Sequence, residues 1–248
     1  MTRFSTVDGE FAYIDKGSGQ PVVFVHGFAS NAHVNWLDTG WIDRLVQEGY
    51  RAIALDNRGH GDSVKLHDAA DYRLEKMAGD VLALIDHLAL PRVRAIGYSM
   101  GSRILLDFAS RHSDRLEQLV LGGIGGTMAK AGLDREPIAA ALLAPTLEDV
   151  ADPVGRGYRQ FAEQTRSDRQ ALAACIRGYG RPVETSETER IAVPTLVAVG
   201  TKDAVAGSAT ELAKMIPGAD VLDIPNRDHM RSTGDKVFKE GVMTFFAR

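Results

Sequence analysis

Cysteine is almost missing: Cys175 is the only one in 248 residues. A single thiol cannot close a disulfide within the chain, and a cysteine-rich metal site is equally excluded. No apolar run approaches the roughly 18 residues that a membrane-crossing helix requires. The stretch from Met1 to Glu10 carries acids early and no apolar core, so no signal peptide is expected and the cytoplasm is the expected compartment. Charge of one sign is also lacking. Twenty-nine Lys and Arg stand against 33 Asp and Glu, a net charge of -4, without a basic block or an acidic tail. A nucleic-acid binder would show a basic stripe, so that class is set aside. The remainder is ordinary, with 44% apolar and 25% charged residues. Such a composition excludes disorder and collagen-like repeats and fits one large globular domain or two small ones.

Along the chain, strand-like and helix-like stretches alternate at short intervals. Phe11 to Asp15 reads as a strand, and Pro21 to Val25 is a continuous apolar run of the kind buried on both faces of a sheet. Trp41 to Glu48 has helical spacing, Arg51 to Leu55 is a further strand, and Asp56 to Gly61 is a turn-rich loop. Leu74 to Leu88 places Met77, Val81, Leu84, Ile85 and Leu88 on one helical face. Val93 to Gly97 is then a strand, Met100 to His112 a helix and Leu119 to Gly122 a strand. Near the end, strands at Thr195 to Val199 and Val221 to Ile224 alternate with helices at Ala209 to Met215 and Val237 to Phe246. Strands separated by helices predict an α/β fold, a mostly parallel central β-sheet with helices on both faces.

One segment breaks this rhythm. Between Gly122 and Val193 no strand-like run occurs; Glu136 to Leu143, Val154 to Gln164 and Asp168 to Ile176 are helical patterns. Some 70 residues without a strand are too long for one connection in a compact sheet. The expected division is a core of residues 1–123 and 192–248 with a small helical cap inserted at 124–191.

Gly97-Tyr98-Ser99-Met100-Gly101 carries the strongest chemical signal. It lies where a strand meets a helix, and a sharp turn there strains the central residue and lifts its hydroxyl above the sheet edge. Glycines flank it at 97 and 101, where side chains would collide with the neighbouring strand and helix. A serine hydroxyl becomes a nucleophile only with a base in hydrogen-bond reach, itself oriented by an acid.

With these residues the chain resembles the α/β-hydrolase superfamily, whose triad runs nucleophile, acid, histidine. The resemblance implies Ser99 as nucleophile, Asp203 after the strand Thr195 to Val199 as acid, and His229 after the last strand as base. Asp228, beside His229, is expected to point away from the imidazole. Of the other histidines, His87 and His112 lie near helix ends, His67 in a polar stretch, and His60 in a loop of structural character. His33, in the segment Asn31 to Trp36, is a candidate to line the pocket. The resemblance further implies an oxyanion hole from the backbone amides of Met100 and of Phe28, the latter in a His26-Gly27-Phe28 turn after the strand ending at Val25. Asp56 and Arg58 match a structural loop of the family. Ser102 and Arg103 depart from the usual pattern after Gly101, and Arg103 is expected to be solvated or ion-paired.

The function this implies is a serine hydrolase cleaving carboxylic esters through an acyl-enzyme, its partner a small-molecule ester, with no metal or cofactor required. Two other chemistries share the triad: a carbon–carbon-bond hydrolase of the meta-cleavage type, and a cofactor-free haloperoxidase or perhydrolase. A ligand-sensing module on the same fold is the non-enzyme alternative, separated from an enzyme by whether a simple ester is turned over.

Overall fold

The structure, a computed structural model, describes residues 1–129 and 134–248. Eight strands form one sheet: β1 (Thr2–Thr6), β2 (Gly9–Gly17), β3 (Gln20–Val25), β4 (Tyr50–Leu55), β5 (Val93–Tyr98), β6 (Leu116–Gly122), β7 (Thr195–Gly200) and β8 (Asp220–Ile224). Their spatial order is β1-β2-β4-β3-β5-β6-β7-β8. β1 and β2 pair antiparallel, as do β2 and β4; every pairing from β4 onward to β8 is parallel. The sheet is therefore mixed and mostly parallel, as expected.

The continuous apolar runs are explained by the two faces. In β3, Val23 and Val25 enter one core while Val22 and Phe24 enter the other. One face is covered by α1 (Trp41–Gln47) and by the last helix of the chain, whose Phe238, Val242, Phe245 and Phe246 pack with Trp36 and Trp41. The opposite face takes α2 (Leu74–His87) and α3 (Met100–His112), through Val81, Leu84, Ile104, Leu105 and Phe108.

Between β6 and β7 the described residues contain no strand. They hold α4 (Gly126–Ala129), α5 (Glu136–Leu143), α6 (Pro153–Gln164), α7 (Arg169–Gly178) and α8 (Thr185–Thr188). Residues 130–133, inside the expected insertion, lie outside the described residues. The start of α6 is set by Asp152, whose side chain accepts the Gly155 N–H at 2.6 Å, with Pro153 at the first helical position. α7 begins at Asp168, which accepts from Gln170 and Ala171. The chain then closes with α9 (Ala209–Ala213), α10 (His229–Ser232) and α11 (Lys236–Phe246).

The short helices α4, α8 and α10 are not legible in the sequence, and neither are two elements of the first 40 residues. β1 is a polar edge strand whose only buried side chain is Phe4, so alternation over five residues left too little signal. His33–Leu37 forms a π-helical turn. The strand order reverses at β3, whose successor β4 lies on one side and β5 on the other. In open parallel sheets the crevice at such a reversal, outside the carboxyl ends of the strands, is where ligands bind.

Candidate active site

Both loops at that crevice are built around close backbone approach. Ser99 follows β5 at φ 53° and ψ −114°, in the positive-φ region that strains a residue with a side chain. Its neighbours permit the turn. A Cβ on Gly97 would sit 2.6 Å from the Ser102 nitrogen, and one on Gly101 would sit 1.9 Å from the Val25 carbonyl oxygen. Helix α3 can thus press directly on the end of β3. At Gly27 a Cβ would make ordinary contacts, 3.5 Å from the Ser99 Cβ; that glycine leaves room beside the serine.

The structure brings Ser99, His229 and Asp203 together. Asp203 Oδ2 accepts from His229 Nδ1 at 2.7 Å, and His229 Nε2 lies 2.9 Å from Ser99 Oγ. A carboxylate can only accept, so Nδ1 carries the imidazole proton and Nε2 is left to accept from the serine hydroxyl. Asp203 is sealed from water, and its other oxygen, Oδ1, accepts the Val205 and Ala206 N–H groups at 3.0 and 2.8 Å. Both oxygens are occupied, which fixes the carboxylate's rotation. His229 opens the short helix α10, capped by Asp228, whose side chain accepts the Arg231 N–H at 2.9 Å. Asp228 is therefore turned away from the imidazole. Tyr98 reaches under the same loop: its hydroxyl donates to the His229 carbonyl, and its ring lies 5.5 Å from the imidazole.

The Phe28 and Met100 amides have no acceptor among the described residues. The Phe28 ring lines the cavity and meets His60, Tyr158 and Tyr179 at 5.9, 5.6 and 6.3 Å. Behind it, His26 works as a latch. Its Nε2 accepts the Asn57 N–H at 3.0 Å, so Nδ1 holds the proton and donates to the Gly27 carbonyl at 2.8 Å. Burial pushes His26 down to about 4, keeping it neutral. The loop it latches is tied to the elements around it. Asp56 accepts from Ala32 and Asp62 at 2.7 and 2.8 Å, and Arg58 pairs with both oxygens of Asp80 at 2.7 Å.

One expectation, that for His33, meets different surroundings. His33 does not line the cavity; it is exposed, 3.1 Å from Asp38. Its turn instead buries Asn35, two residues on, at the cavity wall. The neighbouring Trp36, a buried aromatic anchor, was the available signal that this turn packs inward. Of the two settings expected for Arg103, the ion-paired one is found: it is buried, with Nη2 donating to the Pro182 carbonyl at 2.7 Å and lying 3.7 Å from Glu187. Ser102 donates to the Gly122 carbonyl at 2.7 Å, tying α3 to β6.

The cavity beside Ser99 holds about 130 Å³. Gly27, Phe28, Asn35, Tyr158, Phe161, His229 and Met230 line it; no Lys, Arg, Asp or Glu does so among the described residues.

Residues 20–152 match a family model described as the alpha/beta hydrolase fold. The chain is 30% identical to a non-heme chloroperoxidase of Kitasatospora aureofaciens, over 92% of each chain. Among solved structures it is similar to a thermophilic esterase from Thermogutta terrifontis, with a TM-score of 0.79, 25% identity and coverage of 100% and 98%. An enol-lactonase from Burkholderia xenovorans LB400 superposes with a TM-score of 0.82 over 100% of both chains; at 22% identity this likeness shows the fold alone.

Proposed function

The chain belongs to the alpha/beta hydrolase fold family, and from that premise we propose that it is a serine hydrolase cleaving carboxylic esters through an acyl-enzyme. The observation that carries this reading is the hydrogen-bonded chain from Ser99 through His229 to Asp203, at 2.9 and 2.7 Å. In the reaction, Ser99 Oγ attacks the ester carbonyl carbon while its proton passes to His229 Nε2. Asp203, rotationally fixed, keeps the other imidazole proton on Nδ1 and stabilises the imidazolium. The Phe28 and Met100 amides, otherwise without acceptors, donate to the oxygen that becomes negative. The tetrahedral intermediate collapses, His229 returns the proton to the departing alkoxide, and the alcohol leaves. Water activated by His229 then repeats the attack on the acyl-enzyme, releasing the acid and restoring Ser99.

In this reading residues 124–191 act as a cap, with Tyr158 and Phe161 forming the cavity wall opposite the sheet. The relative named a chloroperoxidase supports a second use of the same intermediate. Hydrogen peroxide attacking the acyl-enzyme in place of water would release a peracid and regenerate Ser99. Turnover of 4-nitrophenyl esters and labelling by a fluorophosphonate test the main reading together. Ser99→Ala is expected to abolish both while leaving the melting temperature near that of the wild type. Labelling that survives the substitution refutes the nucleophile assignment.

A further inference from the structure

Among the polar groups of the cavity that the proposed mechanism leaves unused is the carboxamide of Asn35. Asn35 is 7% exposed, and its side chain stands beside Gly27 and Ser99 on the cavity wall. Its Oδ1 accepts the Gly27 N–H at 3.1 Å. A backbone N–H can only donate, so the carboxamide cannot be turned over, and Nδ2 is the atom left facing away from Gly27. The backbone of Asn35 is pinned as well. Its N–H donates to the Asn31 carbonyl at 2.9 Å, and its own carbonyl accepts the Thr39 hydroxyl at 2.7 Å. Nδ2 itself has no acceptor among the described residues, yet it is not among the polar atoms sealed inside without a partner. It is a rigidly held donor on a side chain that lines the cavity.

A donor fixed beside a reacting centre is satisfied by water until a substrate offers an acceptor, and a substrate lacking one leaves it unpaired. The cavity, about 130 Å³, opens to solvent on one side, so a small acyl or alkoxy group can sit beside Asn35 while the rest of the ester extends outward. Among the described residues no Lys or Arg lines the walls, so a carboxylate entering there would lose its water without gaining a fixed counter-charge.

We propose that Asn35 Nδ2 is a specificity donor which binds a second acceptor oxygen close to the scissile carbonyl, making small uncharged oxygenated esters the preferred substrates. The inference rests on the ester-hydrolase reading above. An oxygenated ester presents an ether, hydroxyl or ring oxygen to Nδ2 while its carbonyl faces the Phe28 and Met100 amides. A plain alkanoyl ester of the same size presents a methylene there.

Two matched pairs of esters test this. 4-Nitrophenyl methoxyacetate and 4-nitrophenyl butyrate differ by one oxygen on the acyl side. 2-Methoxyethyl acetate and butyl acetate differ in the same way on the alcohol side. Asn35→Asp keeps an oxygen for the Gly27 N–H and replaces only the donor. The added charge acts on both members of a pair, so the readout is the ratio of kcat/KM within each pair. In one pair this ratio is expected to fall about tenfold or more on going from wild type to variant. Asn35→Gln, which keeps the amide but displaces it by a methylene, is expected to give the same loss and serves if Asn35→Asp does not fold. Ratios that stay constant in both pairs, in enzymes that still turn over, overturn the donor role alone. A wild type that hydrolyses none of the four esters overturns the ester-hydrolase reading, and the donor role with it.

Discussion

His60 gives this protein a specific dependence on pH. The ring is fully buried; Nδ1 donates to the Arg58 carbonyl at 2.9 Å, and Nε2 has no partner. Burial, reinforced by His26 with ring centroids 5.1 Å apart, pushes its pKa down to about 3. In the unfolded chain the same imidazole takes its proton near pH 6.5. Between those two values the unfolded state binds one more proton than the native state, so stability falls as the pH is lowered. Each pH unit is worth about 1.4 kcal/mol, and at pH 5 His60 alone has therefore removed about 2 kcal/mol. That is a large share of the roughly 5–15 kcal/mol that holds a domain folded. His60→Asn removes the titrating ring and keeps an amide N–H for the Arg58 carbonyl. The variant is expected to be weaker at neutral pH, because the lost ring volume leaves a void. Between about pH 7 and pH 5, however, it should lose about 2 kcal/mol less than the wild type. Urea denaturation of both proteins across that range measures the difference, and the comparison cancels the titrating groups that do not interact with His60, the buried Asp80 included. Curves that run parallel down to pH 5 would refute the reasoning, since the native protein would then protonate His60 as easily as the unfolded chain.

Two further substitutions probe the site. With Asp203 Oδ1 held by two backbone N–H groups, Asp203→Asn must point its NH₂ at His229 Nδ1, moving the imidazole proton to Nε2. Turnover should fall by about four decades, as such a swap does in serine proteases, while Asp228→Asn keeps a good helix cap and costs less than about tenfold; the opposite order in steady-state rates would show the site drawn around the wrong carboxylate. Gly101→Ala forces a Cβ to within 1.9 Å of the Val25 carbonyl oxygen. A loss of more than about 4 kcal/mol, or no soluble protein, is expected, and a wild-type melting curve would refute the close-approach argument.

What could be read from the residues, and what could not, divides along a physical line. Local backbone constraint was legible. Gly97 and Gly101 bracket a turn that no other residue type allows, and Pro21 to Val25 is apolar because both faces of β3 are covered. Asp203 could be placed because it follows β7, whose apolar run is plain, whereas β8 before His229 is short, carries two aspartates and is mostly exposed. What escaped depended on tertiary partners. Whether Arg103 is solvated or ion-paired is not decided by the pattern of α3, because the carbonyls of Arg181 and Pro182 arrive from some 80 residues away and bury it beside Glu187. His33 and Asn35 are both polar members of one turn, and only the packing of Trp36 against Phe24, ring centroids 4.7 Å apart, decides which of them faces inward. β1 was missed for the converse reason: a half-exposed edge strand needs little apolar pattern to exist once β2 is there to pair with it.

The same division bears on how one frame can serve several chemistries. The spacing between the Ser99 turn and the His26-Gly27-Phe28 turn is set by backbone meeting backbone, where Gly101 lies against the end of β3. The His26 latch and the two N–H groups on Asp203 likewise use main-chain atoms as partners. Side chains that line the cavity without bonding to that turn, such as Phe161 and Met230, contribute little to that spacing. Exchanging them changes what fits beside Ser99 while the serine, the imidazole and the amides keep their positions. A fold held this way tolerates divergence in its cavity before it tolerates any at Gly97 or Gly101, and relatives of similar architecture can carry names as different as chloroperoxidase and esterase.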